Sequence, residues 1–248
     1  MDLILKNARL LGAERALTDI GIANGRIAII EPNLAADGET IDLSGRFVSP
    51  GFIETHIHLD KSCILDRCVS ERGDLEEAIV QAAKAKAAFT PEDVHARAMR
   101  TLEKAILQGT THMRTHLEVD PVVGLRSLEG VLPLIKQYAW AIDLEICVFP
   151  QEGLLNNPGT DELMVEGLKR GCRVVGAAPY TDSNPTGQID RILTPRLFAI
   201  CVLPSSKSSR VMPSFRGAPP EEMMYEAPSS ASSSSVVQVT RAPGKAQW

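Results

Sequence analysis

Two histidines one residue apart, His56 and His58, have the type and spacing that most directly suggest metal chemistry in this chain. The preceding Phe52 and Ile53 predict a buried β-strand, and Pro50-Gly51 marks its start. Side chains alternate across a strand, so both imidazoles are predicted to lie on one side of it. Two imidazoles can bind one divalent cation but cannot complete a tetrahedral shell. An isolated His-x-His is also common without a metal, so its surroundings decide its meaning.

Opposite charges follow the histidine pair at once, as Asp60 and Lys61. Charged residues directly after a buried strand are typical of a site at the C-terminal rim of a parallel barrel. Lys61 is therefore a candidate for contacting a substrate or for orienting Asp60. A salt bridge at the rim explains the same lysine equally well.

Three segments carry a resemblance to a known family, and they are residues 49–61, 114–120 and 148–153. Their sequences Ser-Pro-Gly-Phe-Ile-Glu-Thr-His-Ile-His-Leu-Asp-Lys, Arg-Thr-His-Leu-Glu-Val-Asp and Val-Phe-Pro-Gln-Glu-Gly resemble the cytosine deaminase branch of the amidohydrolase superfamily. The resemblance extends from the N-terminus to about residue 193. It implies a hydrolase in which a water activated by one divalent metal ion, zinc or iron, cleaves an exocyclic C–N bond of a cytosine-like heterocycle.

The resemblance also implies roles for individual residues. His56 and His58 match two metal ligands of the family. The other ligands, and the glutamate that transfers the proton, belong to later strands that this sequence does not match, so no catalytic acid or base is assigned. Gln151 matches a glutamine that contacts the ring. The segment 173–178 lacks the lysine of binuclear members, which favours one metal ion.

The residues themselves support Gln151 as a substrate-binding candidate, because its amide offers donors and an acceptor to a lactam edge and follows a predicted strand. The alternative is a loop glutamine that faces solvent. Glu152 does not match the position of the family's proton-transferring glutamate. His112 and His116 share one side of the second predicted strand, and we expect them to be interior or supporting groups rather than metal ligands. His95, on a predicted helix, is expected to be a packing or surface residue.

Neighbouring residues predict several local elements. Asn24-Gly25 predicts a hairpin turn. Asp74 is a predicted helix cap, with Glu77 completing a capping box, and Thr90 is the predicted cap of the next helix. The apolar positions of that second helix recur at helical spacing and predict a buried stripe, formed by Val94, Ala98, Leu102 and Ile106. Residues 173–178 are the predicted fourth strand.

Predicted strands and helices alternate along most of the chain, which favours an α/β fold with a parallel sheet. We predict a partial TIM (β/α)8-like barrel preceded by a small β-sandwich segment, with a disordered C-terminal tail. The predicted domains are residues 1–48 for the N-terminal part of the sandwich and 49–193 for the first half of the barrel. Residues 194–248 are Ser- and Pro-rich without a period, so we predict a non-homologous, disordered tail.

Composition excludes several classes of partner. The net charge is −5 and no basic cluster occurs, which argues against nucleic acid or an anionic membrane. No stretch reaches the ~20 apolar residues of a membrane span, and no signal peptide is recognised at the start. Five cysteines without a Cys-x-x-Cys pattern fit a reducing cytoplasm. A small heterocyclic substrate is the expected partner, and homo-oligomerisation is left open.

Three functional hypotheses remain from the sequence. The first is a hydrolase resembling cytosine deaminase. The second is a truncated, non-catalytic half barrel, because four parallel strands cannot close a barrel. The third is a triazine hydrolase of the same superfamily that removes an N-alkylamine instead of ammonia.

Overall fold

The computed structural model describes residues 1–12 and 16–193, and these residues form two compact units that divide between residues 52 and 53. The predicted tail, residues 194–248, lies outside the described part of the chain. Each unit contains one sheet, and the predicted site residues all belong to the second unit.

The first unit is a five-stranded sheet. Its strands are β1 (Leu3–Leu10), β2 (Leu17–Ala23), β3 (Arg26–Glu31), β4 (Glu39–Asp42) and β5 (Phe47–Val48). The order is β3-β2-β1-β4, and β5 also pairs with β1; β2 runs antiparallel to β1 and β3, whereas β4 and β5 run parallel to β1. The hairpin predicted at Asn24-Gly25 is present, with φ of 54° and 69°, the left-handed conformations that such a two-residue turn requires.

The second unit is an α/β layer that carries the candidate site. Its strands are β6 (Phe52–Ile57), β7 (Thr110–Glu118), β8 (Asp143–Phe149) and β9 (Val174–Val175), in the order β6-β7-β8-β9. The pairs β7–β8 and β8–β9 are parallel. The helices are α1 (Leu75–Lys86), α2 (Pro91–Leu107), α3 (Arg126–Gln137), α4 (Thr160–Lys169) and α5 (Pro185–Ile192). The α/β class with a parallel sheet is therefore confirmed.

Helix starts follow the predicted capping chemistry. The Asp74 carboxylate accepts from the Glu77 amide at 2.8 Å, and the Thr90 hydroxyl accepts from the Asp93 amide at 3.2 Å. The Glu77 carboxylate accepts from the amides of residues 71, 72 and 73 instead of closing the predicted capping box. It thereby fixes the loop that precedes α1.

Two local predictions were wrong. Phe52 and Ile53 are 65% and 68% exposed, although their apolar side chains predicted a buried strand. In the described part of the sheet β6 is an edge strand with β7 as its neighbour, so its first residues have little to pack against. The fourth barrel strand, expected over 173–178, is reduced to Val174–Val175.

The core of the second unit lies between the sheet and its helices. The predicted stripe of α2 is buried at Val94, Ala98 and Leu102, and it packs with Leu117 and Ile146 of the strands. No helix in the described residues is long and apolar enough to cross a membrane. This packing fixes the C-terminal ends of β6, β7 and β8, where the candidate site begins.

Candidate active site

A cavity of about 970 Å³ opens where β6, β7 and β8 end and where the chain leads into α1. The four residues singled out from the sequence, His56, His58, Lys61 and Gln151, all line it. The same wall contains polar and aromatic side chains that the sequence did not single out as site residues: His116, Glu118, Phe149, Glu152 and Tyr180. The cavity lies at the carboxyl edge of the parallel strands, where ligands bind in open α/β sheets.

Three imidazoles stand together at one end of the cavity. The ring centroids of His56 and His58 are 5.3 Å apart, and the ring of His116 stacks on that of His56 at 4.1 Å. His58 Nδ1 donates a hydrogen bond to the His116 carbonyl oxygen at 3.0 Å. In neutral His58 this bond fixes the tautomer and leaves Nε2 with its lone pair available to a ligand. The His116 Nδ1 atom is buried and has no hydrogen-bond partner among the residues that the structure describes.

The partly buried rings of His58 and His116 favour the neutral state. Burial, together with the nearby Lys61 ammonium, lowers the pKa of His58 to about 4. Burial, together with the neighbouring His56, lowers the pKa of His116 to about 4. Neutral imidazole is the form that binds metals, and His58 and His116 keep that form at pH values above about 4.

Lys61 forms an ion pair with Glu118 at the cavity wall, which is the rim salt bridge considered from the sequence. Its ammonium also lies 5.8 Å from the centroid of the Phe149 ring. Asp60 turns away from the cavity: it is 1% exposed, and its carboxylate accepts from the Glu118 amide at 3.1 Å. Burial and the Glu118 charge raise the pKa of Asp60 to about 6.

Behind this wall lies Lys86, the last residue of α1, which is only 2% exposed. Its ammonium is 2.9 Å from a Glu118 oxygen and 2.6 Å from an Asp120 oxygen, and it also pairs with Glu152. Burial opposes the charged form, but the three carboxylates outweigh it and raise the pKa of Lys86. Burial likewise opposes ionisation of Glu118, yet Lys61 and Lys86 together lower its pKa. The cluster joins two ammonium groups and three carboxylates in one charge network.

Gln151 lies in a tight turn directly after β8. Its Nε2 donates to the Tyr180 hydroxyl at 2.9 Å, and the Gly153 amide donates to the Pro150 carbonyl at 3.2 Å to close the turn. Gly153 has φ of 97°, and an added Cβ would lie 2.0 Å from the Asn156 side chain, so only glycine fits there.

A buried aspartate fixes the chain just beyond this turn. The Asp182 carboxylate accepts from the amides of Leu154 at 2.8 Å, Leu155 at 3.1 Å and Asn156 at 3.0 Å. It also accepts from the Gln188 side chain, which in turn bonds the backbone of Ala178. The loops after β8 and β9 are therefore joined by one buried polar group.

The remaining histidines lie elsewhere. His112 is exposed, bonds Thr111 at 3.0 Å, and pairs in register with Asp143 at the opposite end of β7 from His116. His95 Nδ1 bonds the Gly130 carbonyl at 2.9 Å between α2 and α3, so it is a packing residue as predicted.

His116 was expected to be a supporting group, and the structure brings it into the cavity wall. Glu118 lies on the same side of β7 as His116, so strand alternation alone could have predicted that Glu118 is near the site. Lys86 had no such signal, since it stands among similar lysines of an alanine-rich helix.

The residues available for a metal ion fit it only in part. Within residues 1–12 and 16–193, one set of three metal-binding side chains has ligand atoms within 4.8 Å of one another, and it is Glu118, Asp120 and Glu152. The Lys86 ammonium already pairs with all three, so this set does not suit a resident metal. His56 and His58 supply imidazole nitrogen donors, with a fixed tautomer at neutral His58, and they suit part of a metal shell.

Comparison with known proteins shows which family the chain resembles. The amidohydrolase family model matches residues 39–137. N-isopropylammelide isopropyl amidohydrolase of Pseudomonas sp. (strain ADP) is 32% identical over 197 residues, which are 76% of this chain and 49% of that protein. Residues 39–137 therefore form part of an amidohydrolase domain.

Two solved structures are similar to this amidohydrolase segment in both sequence and fold. The 5-methylcytosine deaminase of Klebsiella pneumoniae, liganded with 5-fluorocytosine, matches with a TM-score of 0.71 and 33% identity, over 79% of this chain and 48% of that chain. N-isopropylammelide isopropylaminohydrolase of Burkholderia multivorans ATCC 17616 matches with a TM-score of 0.68 and 30% identity, over 81% and 50%. The chain thus spans about half the length of these amidohydrolase relatives.

Proposed function

We propose that this amidohydrolase segment belongs to a metal-dependent hydrolase that cleaves an exocyclic C–N bond of a cytosine-like heterocycle. The observation that carries the proposal is the common cavity that joins the histidine pair to Gln151. The histidine end of the cavity suits a cation, and the Gln151 end suits the edge of a heteroaromatic ring. We also infer three parts along the sequence. They are a sandwich segment over residues 1–48, the first half of a (β/α)8 barrel over residues 49–193, which contains the four-stranded sheet, and a non-homologous tail over residues 194–248.

In this proposal His56 and His58 are metal ligands, and the ion is zinc or iron. A bound divalent cation lowers the pKa of water and so supplies a nucleophile near neutral pH. The hydrogen bond from His58 Nδ1 to the His116 carbonyl orients the ring for that role. His116 lies beside the pair and, in our proposal, shields it from water on one side.

Gln151 orients the substrate. Its Nε2 donates to the Tyr180 hydroxyl, which leaves Oε1 to accept from a ring N–H. Lys61, held by Glu118, presents a positive charge that suits a carbonyl oxygen of a lactam ring. These two side chains reach the cavity from the segments after β6 and β8, so a heterocycle lying between them would contact both. The proton-transferring group remains unassigned among the described residues.

A second candidate is removal of an N-alkylamine from a triazine ring. It is favoured by two of the relatives, whose names describe isopropylammelide hydrolases. The cavity wall along α1 is apolar at Leu75, Ala78, Ile79 and Ala82, and this wall suits an alkyl substituent. The leaving amine therefore separates the two candidates.

The test is product release by the purified protein with added zinc or ferrous iron. Cytosine, isocytosine and N-isopropylammelide are supplied in parallel, and ammonia and isopropylamine are measured separately. Metal-dependent ammonia release supports the first candidate, and isopropylamine release supports the second. Failure with all three substrates, despite stoichiometric metal binding, would support the non-catalytic half barrel instead.

A further inference from the structure

Lys86 is a buried cation whose partners all come from outside its own helix. It ends α1, whereas Glu118 ends β7, Asp120 follows that strand by two residues, and Glu152 lies in the turn after β8. A lysine at 2% exposure normally requires paired charges, and here three carboxylates provide them. One ammonium therefore connects a helix end, a strand end and a loop.

Each end of this network leads to a residue that faces the cavity. Glu152 is bonded to Lys86 and directly follows Gln151 in the chain. Glu118 is shared, since one of its oxygens meets Lys86 at 2.9 Å and the other pairs with Lys61. Lys86 is thus one contact away from both proposed substrate-binding side chains.

We infer that Lys86 is a positioning residue, whose ammonium fixes Gln151 through Glu152 and Lys61 through Glu118. The inference rests on the proposed function only in assigning Gln151 and Lys61 to the substrate. The link itself follows from charge: without the ammonium, three carboxylate groups whose oxygens lie within 4.8 Å would repel one another. Glu152 has the most exposed side chain of the three, so it is the one that would swing towards solvent and carry the Gln151 turn with it.

The test compares Lys86→Met with Lys84→Met, a matched control at an exposed position on the same helix. Zinc and 5-fluorocytosine serve as separate probes in calorimetric titrations of each folded variant. We expect Lys86→Met to weaken 5-fluorocytosine binding by roughly 10- to 100-fold, the usual effect of losing a supporting contact. Zinc affinity at the His56–His58 site should stay within about twofold. It is read as the part of the titration that a His56→Ala, Lys86→Met double variant loses, because the carboxylates freed from Lys86 can bind zinc themselves. Lys86→Arg, which keeps the charge, should recover part of the loss.

Hydrogen exchange without any ligand gives a second and independent measurement. The reporters are the Gly153 amide, bonded to the Pro150 carbonyl, and the Glu118 amide, bonded to the Asp60 carboxylate. Lys86→Met should speed exchange at both amides by about 10-fold or more relative to Lys84→Met, since local opening sets the rate.

Unchanged exchange at both amides in Lys86→Met would overturn the positioning role, whatever the ligand data show. Equal loss of zinc and 5-fluorocytosine affinity would also overturn it, because that result indicates general structural damage. If the wild-type protein binds no 5-fluorocytosine but the exchange rates change as expected, the substrate assignment fails while the role of Lys86 stands. If Lys86→Met does not fold, Lys86→Arg and Glu152→Gln carry the exchange comparison.

Discussion

Asp182 gives the sharpest test of how the cavity loops are held, because one carboxylate satisfies four donors. It is 6% exposed and accepts from three consecutive amides and from the Gln188 side chain. Burial opposes its ionisation, but the bond from Gln188 and those from the amides outweigh it and lower the pKa of Asp182. The carboxylate is therefore charged at neutral pH, and its hydrogen bonds belong to the stronger, charge-assisted class.

The expected cost of Asp182→Ala follows from these bonds. A hydrogen bond to a charged group contributes about 1.5–3 kcal/mol, and a buried donor left without a partner loses that amount in full. The Leu154 amide is buried, whereas those of Leu155 and Asn156 are partly exposed and regain water. The Gln188 side chain keeps its bond to the Ala178 carbonyl. The Leu154 amide therefore accounts for about 1.5–3 kcal/mol and the other three donors for about 1 kcal/mol together, so we expect the free energy of unfolding to fall by about 2.5–4 kcal/mol.

Urea denaturation followed by circular dichroism measures this loss. Asp190→Ala, at an exposed position of α5, is the matched control and should change stability by no more than about 0.5 kcal/mol. Asp182→Asn keeps the shape but turns a donor towards the amides, so it should fall between the two. If Asp182→Ala were as stable as Asp190→Ala, with an unchanged dependence on urea, the buried clamp would not hold the loops as described.

Two further predictions concern the turn and the pH response. Gly153→Ala, at φ 97° and with a side-chain atom 2.0 Å from the new Cβ, should cost about 1–3 kcal/mol in urea denaturation. Gly73→Ala, at φ 72° with open space, should cost less, and an equal cost would exclude the steric clash. Metal-free protein should lose stability as pH falls from 6.5 to 4, because unfolded histidines bind protons that His58 and His116 resist until about pH 4. Asp60, with its pKa raised to about 6, has the opposite effect and adds stability as pH falls from 6 to 3.8. The predicted net loss therefore requires that the effect of the two histidine rings is larger than that of Asp60. His116→Gln should therefore lose less stability on acidification in thermal melts; an equal loss would contradict this.

Local rules predicted the parts of the molecule that local chemistry determines. Strand parity correctly placed the His56 and His58 rings close together, 5.3 Å between centroids. The Asn24-Gly25 turn and the Asp74 and Thr90 caps also follow from neighbouring residues alone. These features form because the groups that make each hydrogen bond or turn lie within a few positions of one another.

The charge network could not be predicted in this way. Lys86 resembles Lys84 in the sequence, and only the packing of α1 against the strand ends separates a buried ammonium from an exposed one. Its carboxylate partners come after α2 in the chain, at the end of β7 and in the turn after β8. His116 likewise enters the cavity wall because β7 is the neighbour of β6 in the sheet, a fact that strand periodicity does not contain.

The location of a bound metal ion tests the central proposal most directly. Crystals of the wild-type protein soaked with zinc, measured on both sides of the zinc absorption edge, would locate the ion without reference to activity. We expect one ion bonded to ring nitrogens of His56 and His58, facing the cavity that Gln151 lines. An ion held by Glu118, Asp120 and Glu152 in place of the Lys86 ammonium, or no ion at the two histidines, would contradict it.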